Sequence, residues 1–149
     1  MLFRSTGFSR EKMVGVWWSG AEEDTVPAGS AAKGFTAAGY NVAGENYPVI
    51  KDIEKFVYAK GHGNMEDKGR IGSVYYNRGV VHGLITVEAI RKAQEKFGKG
   101  KALTGEQVRW GFENLDMDDK RLGELGATGF LPPLKTSCMD HEGSGKVKY

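Results

Sequence analysis

The segment "MVGVWWSGAEEDTVPAG" (Met13–Gly29) places two tryptophans and three acids where an apolar run meets a turn. The run over Met13–Trp18 contains β-forming residues and is stopped by Ser19 and Gly20, which predicts a short buried strand. Since successive side chains of a strand point to opposite faces, we expect at least one of the two tryptophans in the core. The other ring can then line the end of the strand.

The acids after the turn predict a helix over Glu22–Ala38. Negative side chains in a first helical turn complement the partial positive charge of the helix N-terminus. Pro27 lies near that end, where a missing N–H costs little, and Gly39 supplies the stop. A strand, a turn and a helix form half of a βαβ unit. We therefore expect an α/β fold with a parallel pairing centred on Met13–Trp18.

Further along the chain, the pattern predicts an extended segment over Tyr40–Tyr47 and a helix that Pro48 opens and that runs to about Lys60. The longest periodic segment predicts a helix within Ser73–Phe97, buried on much of its circumference. Its apolar stripe consists of Val80, Val81, Leu84, Ile85, Val87, Ala89, Ile90, Ala93 and Phe97.

The last third of the chain begins with a capping box. Thr104 is a hydroxyl N-cap with Gln107 three residues later, which predicts the start of a helix. The segment "NLDMDDKRLGELGATG" predicts a loop and a short turn. Phe130–Ser137 is a candidate strand at a sheet edge, since it contains two prolines, and "DHEGSGKVKY" resembles a hairpin.

Composition narrows the function classes. A length of 149 residues suits one ordinary domain, and 40% hydrophobic and 27% charged residues indicate a soluble globular protein. The net charge of +2 comes from interleaved acids and bases, so we expect no nucleic-acid partner. No apolar run approaches the roughly 20 residues of a membrane span, so we expect no direct membrane insertion. Residues 1–10 have no clear pattern and are interpreted as a non-native or unstructured leader.

Patterns for catalysis, metals and nucleotides are weak. His62, His82 and His141 have no metal-ligand spacing. The glycine-rich segment "GHGNME" lacks the GK[ST] of a phosphate loop. A calcium-loop reading of "DMDDKRLGE" fails because Arg121 stands where glycine is needed. The sequence therefore predicts no enzyme, no cofactor and no metal.

The aromatic and acidic turn is the best candidate binding site. In open α/β sheets, ligands bind beyond the carboxyl ends of parallel strands, which is where Trp17, Trp18, Ser19 and Glu22 are expected. The rings would give apolar walls, and a carboxylate could pair with an ammonium group or accept hydrogen bonds. The alternative is that the acids only cap their helix. The segment "SVYYNRG" (Ser73–Gly79) has a similar mixture of aromatic and polar residues.

Three segments together resemble a known family. In order, "KMVGVWWSGAEEDTVPAGSAAKGF", "YYNRGVVHGLITVEAIRKA" and "GFLPPLKTSCMDHEGSG" resemble the later part of type I periplasmic substrate-binding proteins of ABC transporters, in the branched-chain amino acid and amide group. The resemblance runs from about Lys12 to Tyr149. It implies that residues 11–149 are a partial domain, truncated at both ends, of a two-lobe fold. Each lobe of that fold is a Rossmann-like parallel sheet flanked by helices, and this part would be the later second lobe with crossover segments.

The resemblance also implies a function. Such a protein captures a small polar solute, such as a branched-chain amino acid or an amide, between its lobes and delivers it to a membrane permease from a periplasmic or extracellular location. A carboxylate just after a second-lobe strand can bind the ligand's ammonium group, a place that Glu22 or Glu23 matches, and Tyr76 matches a tyrosine that approaches the cleft. The alternative is the ligand-sensing domain of a regulator or receptor with the same fold.

Overall fold

The computed structural model describes residues 6–64 and 66–147. In chain order, the strands and α-helices are β1 (Val14–Gly15), α1 (Glu22–Thr25), β2 (Thr36–Ala37), α2 (Pro48–Phe56), α3 (Val74–Phe97), α4 (Gly105–Phe112), β3 (Asp116–Met117), α5 (Asp119–Glu124) and β4 (Leu134–Lys135). Short 3₁₀ helices cover Arg10–Lys12, Gly29–Ala32, Tyr58–Lys60 and Lys68–Arg70. Within these described ranges, none of the helices has both the length and the apolar character that a membrane crossing requires.

The parallel pairing expected near the tryptophans is present but short. β1 pairs with β2 in parallel, with Val14 opposite Thr36. The prediction of a buried strand over Met13–Trp18 is wrong, because Val14 is 63% exposed and Val16 is also exposed. A two-residue pair with one partner strand has little to cover its faces. The larger two-lobe α/β architecture stays a prediction.

The long helix predicted over Glu22–Ala38 is also wrong. The chain forms the single turn of α1 and then a 3₁₀ turn over Gly29–Ala32. Gly29 has a φ of +51°, which ends a right-handed helix, and Pro27 has no N–H to continue one. The extended segment that follows is β2, at Thr36–Ala37 instead of the predicted Tyr40–Tyr47.

Helix α3 confirms the strongest sequence pattern. It begins after Ser73, whose Oγ accepts a hydrogen bond from the backbone N–H of Tyr76, and it ends at Gly98. Val81, Ala89 and Ala93 are buried, while Val87 is 62% exposed. The buried stripe is therefore narrower than the apolar pattern predicts. The helix predicted from Pro48 forms as α2, followed by the 3₁₀ turn over Tyr58–Lys60.

The last third of the chain is more regular than the sequence predicts. The Thr104 capping box is present and opens α4. Helix α5 replaces the expected loop, because Asp118 Oδ1 caps it by accepting from the Arg121 N–H at 2.7 Å. β4 lies within the predicted Phe130–Ser137 strand and pairs antiparallel with β3. The hairpin is wrong for residues 146–147, which form no strand, and residues 148–149 lie outside the described part.

The core lies where α2, α3 and α5 meet the loop after α5. Its buried apolar side chains are Val49, Ile50, Val81, Met117, Leu122, Ala127, Phe130 and Leu131. Helix α4 crosses α3 so closely that a Cβ built on Gly111 would lie 2.1 Å from the carbonyl oxygen of Ala89. The contact therefore requires glycine at that position.

A buried carboxylate joins α3 to α5. Glu88 is 3% exposed and accepts hydrogen bonds from Arg121, at 2.6 and 2.8 Å, and from Arg91. Burial works against the charged form of Glu88, but the two guanidinium groups outweigh it and hold the pKa of its carboxyl below the usual range. The Arg121 guanidinium also stays charged, since the carboxylates of Glu88 and Glu124 raise its pKa further above its usual range.

Of the expected leader, residues 1–5 lie outside the described part of the chain. Residue 10 belongs to the folded structure, since Nη1 of Arg10 donates to the carbonyl oxygen of Ser30 at 3.0 Å. The boundary of a leader at residue 10 stays a prediction.

Candidate functional site

A cavity of about 450 Å³ lies where β1 and β2 end and α3 begins. Its walls include Trp17 and Gly20 after β1, Ala37 and Asn41 at and after β2, and Arg78 in the second turn of α3. No acidic side chain is among the residues that line it in the described part of the chain. This cavity, called the Trp17 cavity below, is therefore largely apolar, with the cationic side chain of Arg78, the amide of Asn41 and the ring of Tyr47 in its lining.

The local sequence explains why these elements meet. Gly20 allows the turn after β1 to pass close to β2, since a Cβ on Gly20 would lie 2.5 Å from the Ala37 Cβ. Asn41 Nδ2 donates to the Val74 carbonyl oxygen at 3.0 Å, which ties the segment after β2 to α3. Deeper in the fold, Asn77 Nδ2 donates to the carbonyl oxygens of Val42 and two glycines, and Asn77 is fully buried.

Arg78 is the chemically distinctive group of the cavity. It is only 8% exposed, and its Nη2 donates to the carbonyl oxygen of Trp17 at 2.7 Å. Its Cζ lies 4.6 Å from the ring centroid of Trp17, 5.1 Å from that of Tyr75 and 5.5 Å from that of Tyr40. Ring faces attract a guanidinium through their quadrupole, so three aromatic side chains hold this cation in place.

Arg78 has no carboxylate partner within the described residues. The salt bridges that they form involve other arginines, lysines and His141. A weak hydrogen bond from Nε to Asn41 Oδ1, at 3.4 Å, is its other polar contact. Buried charges in proteins are usually paired, so an almost fully buried guanidinium with neutral acceptors is unusual.

The predicted aromatic and hydroxyl residues divide between the cavity and the surface. Trp17 lines the cavity, and its contact with a ligand stays a prediction. Trp18 is 58% exposed and contacts Trp17 edge to face, with the ring centroids 5.0 Å apart. Ser19 Oγ donates to the carbonyl oxygen of Val16 at 2.9 Å and so closes the turn. No described tryptophan in this segment is buried, against the expectation from strand alternation.

The two predicted acids lie at a second, smaller cavity of about 310 Å³. The Glu22 carboxylate accepts from the backbone N–H of Val74, at 3.0 and 3.3 Å, and Glu23 forms an ion pair with Arg70. A carboxylate at a helix N-terminus stabilises it through the hydrogen bond and the helix dipole. Glu22 is the first residue of α1, but its side chain caps α3. A ligand role for Glu22 or Glu23 stays a prediction.

Tyr76 faces the core side of α3. Its Oη lies 3.2 Å from the Oη of Tyr58, and burial together with this contact raises the pKa of the Tyr76 hydroxyl above its usual range. The hydroxyl is thus neutral and can only donate or accept a hydrogen bond. The structure does not bring Tyr76 to the Trp17 cavity, and its predicted approach to a ligand stays a prediction.

The sequence prediction missed Arg78 and Asn41. Arg78 lies in the segment "SVYYNRG", which the sequence marks for its mixture of aromatic and polar residues. The available signal was position: Arg78 precedes Val81 by three residues, on the face of α3 that is otherwise buried. A charged residue on a buried helix face calls for a partner, which makes it a candidate site residue.

A third cavity, of about 490 Å³, lies between α4 and β4. Arg109 and Glu113 form an exposed ion pair at its rim, and His141 Nε2 lies 3.7 Å from the same carboxylate. No group of three or more His, Cys, Asp or Glu side chains in residues 6–64 and 66–147 could hold a metal ion. The predictions that the protein is not an enzyme and uses no cofactor stay predictions.

Comparison with known proteins relates the chain to ABC transporters. A crystal structure described as an ABC transporter permease from the Pseudomonas fluorescens group is similar, with a TM-score of 0.91 and 42% sequence identity over 97% of this chain. The chain spans about a third of that protein's length, since the match covers 35% of it. No protein-family model and no curated protein matches the chain.

This likeness corrects the family prediction. The chain is similar to part of a protein described as an ABC transporter permease, which supports the predicted link to ABC transporters. The prediction of a type I periplasmic substrate-binding protein is wrong, because the similar structure is described as a permease. The predicted function of solute capture for delivery to a permease is therefore wrong as well, and so is the alternative of a ligand-sensing domain of a regulator or receptor with the same fold. The predicted periplasmic or extracellular location is also wrong.

Proposed function

We propose that this chain is part of an ABC transporter component of the permease type and contributes to the passage of a solute. The observation that carries the proposal is the likeness in both sequence and fold to the structure described as a permease. A shared fold alone would not indicate a shared function. The sequence identity of 42% over 97% of the chain is the additional support for a related role.

The site geometry is compatible with a transport role. The Trp17 cavity offers aromatic walls, an amide and a buried guanidinium, which suit reversible binding of a small molecule. The polar side chains among the described lining residues are those of Arg78, Asn41 and Tyr47. The proposal is that this chain contributes to solute transport by the component, and it does not identify the solute.

The test is uptake by cells. A strain that lacks the gene carrying this sequence is grown beside the parent strain, and the consumption of each medium component is followed by mass spectrometry. We expect at least one solute to be taken up more slowly without the gene, and a plasmid copy to restore its uptake. The matched control is a copy with Arg109→Gln, an exposed position, which should restore uptake equally. Equal consumption of all solutes by both strains would contradict the proposal.

A further inference from the structure

We infer that the Trp17 cavity is a binding site for a small organic monocarboxylate with an apolar body, and that Arg78 is the group that binds the carboxylate. The inference concerns this cavity alone and does not depend on the proposed transport function. Its starting point is the buried and charge-unpaired guanidinium of Arg78.

Two of the three guanidinium nitrogens already donate to the protein. Nη2 donates one hydrogen bond to the Trp17 carbonyl oxygen, and Nε lies 3.4 Å from the Asn41 Oδ1. The ring faces of Trp17, Tyr40 and Tyr75 cover the planar surfaces at 4.6–5.5 Å. Nη1 makes no hydrogen bond with a described residue, so the edge formed by Nη1 and the second proton of Nη2 remains for a ligand. That edge presents two parallel donors, which is the geometry that a planar carboxylate matches.

The rest of the cavity favours an apolar ligand body. The apolar wall consists of Trp17, Ala37, Ala38, Val42 and Val74. Among the described residues, no acidic side chain that would repel an anion lines the cavity. A volume of about 450 Å³ is within the range of small-molecule sites. A ligand with a carboxylate at one end and a small apolar group at the other therefore matches both the Arg78 edge and the apolar wall.

A ligand anion would also remove an electrostatic cost. A charge buried without a counter-charge is unfavourable, and the aromatic faces compensate only part of the lost hydration. A carboxylate on the open edge would complete the pairing that no described side chain provides. The competing source is a carboxylate side chain of the same protein outside the described residues, which would occupy the edge and block small anions.

The experiment uses benzoate and benzamide on the protein that carries this sequence. They share shape and size, and only benzoate carries the charge. Binding is measured by calorimetric titration, and the indole N–H resonance of Trp17, assigned with Trp17→Phe, reports the location. We expect benzoate to bind at least about tenfold more tightly than benzamide and to shift the Trp17 signal, since removing one partner of a buried charge pair is costly.

Variants locate the effect. Arg78→Gln should abolish the preference for benzoate, and Arg78→Lys, which keeps the charge without the two-donor edge, should retain part of it. Arg109→Gln, an exposed arginine at a different cavity, should change nothing. If Arg78→Gln does not fold, the inference is tested by comparing the binding of benzoate and benzamide to the unmodified protein. The inference would be overturned if benzoate did not bind, or if benzoate and benzamide bound equally. It would also be overturned if binding were lost in Arg109→Gln alone, or if an equal concentration of inorganic phosphate displaced benzoate.

Discussion

The helical region from α2 through the loop after α5 (residues 48–131) and the strand-end region (residues 13–38) bury their apolar side chains very differently. In the helical region, large side chains such as Phe130, Ile50 and Leu122 are fully enclosed. In the strand-end region, Val14 and Val26 are 63% and 71% exposed. The comparison teaches that similar apolar residues contribute to stability only where other elements cover them.

The two regions meet at α3, and their contacts there are polar. Glu22 accepts from the Val74 N–H, and Arg78 donates to the Trp17 carbonyl oxygen. Hydrogen bonds of this kind fix orientation with a modest net contribution to stability. The helical region therefore acts as the scaffold, and the strand-end region is positioned on it with a cavity between them.

The sharpest test of this contrast removes one aromatic ring from the scaffold. Phe130→Ala should lower the free energy of unfolding by about 4 kcal/mol, because the ring is fully buried and its removal leaves a cavity. Its matched control is Trp18→Ala in the strand-end region, where an exposed ring should cost under about 1 kcal/mol. Chemical denaturation of the protein measures both. Similar losses for the two variants would show that the strand-end region is packed as tightly as the scaffold.

The crossing of α3 and α4 gives the next largest effect. Gly111→Ala should destabilise the protein by about 2–3 kcal/mol, because the added methyl group would collide with the backbone of Ala89. Gly79→Ala provides the control, since the space around a Cβ there is open and alanine favours a helix by about 1 kcal/mol. Thermal unfolding should rank Gly79→Ala above the parent and Gly111→Ala well below it. The reverse order would contradict the described helix packing.

The Glu88 ion cluster makes scaffold stability dependent on pH. Glu88→Gln should cost about 2 kcal/mol at pH 7, the range for hydrogen bonds to charged groups. The folded-state pKa of Glu88 is lower than its unfolded value of about 4.3. The stabilisation is therefore fully present above that value and is lost as the pH falls through the folded pKa. Denaturation at pH 7 and pH 3 should show the gap between parent and variant closing. A gap that is unchanged at pH 3 would mean that charge is not what Glu88 contributes.

The smallest effect belongs to the cap between the two regions. Glu22→Gln should cost under about 1 kcal/mol, because it removes the charge at the N-terminus of α3 and keeps a hydrogen-bond acceptor. Glu23→Gln, which breaks only the partly exposed pair with Arg70, should cost still less. Hydrogen exchange at the first turn of α3 measures the cap directly. Faster exchange in Glu23→Gln than in Glu22→Gln would show that Glu23, and not Glu22, caps α3.

The sequence predicts the scaffold better than the strand-end region for a physical reason. Helix α3 is specified by local signals, namely the Ser73 cap, the apolar stripe and the stop at Gly98. The Thr104 capping box is equally local. By contrast, whether Val14 is buried depends on what covers it, and an apolar run carries no information about that.

Short elements and non-local contacts account for the other differences. Helix α5 has six residues and a polar sequence, so its pattern is too short for periodicity, and the Asp118 cap is its main signal. The partner of Glu22 is Val74, 52 positions along the chain, which local capping rules cannot reveal. The contact between Arg78 and the Trp17 ring joins residues 61 positions apart, so only the folded structure reveals it.

The central claim, that the chain is part of an ABC transporter component of the permease type, is tested most directly by what the protein assembles with. The protein that carries this sequence is tagged at its native gene, solubilised from membranes with detergent and purified. The account predicts that an ATP-hydrolysing cassette subunit co-purifies in a fixed ratio and that the complex hydrolyses ATP. Recovery of the protein with no such subunit and no ATP hydrolysis would contradict it.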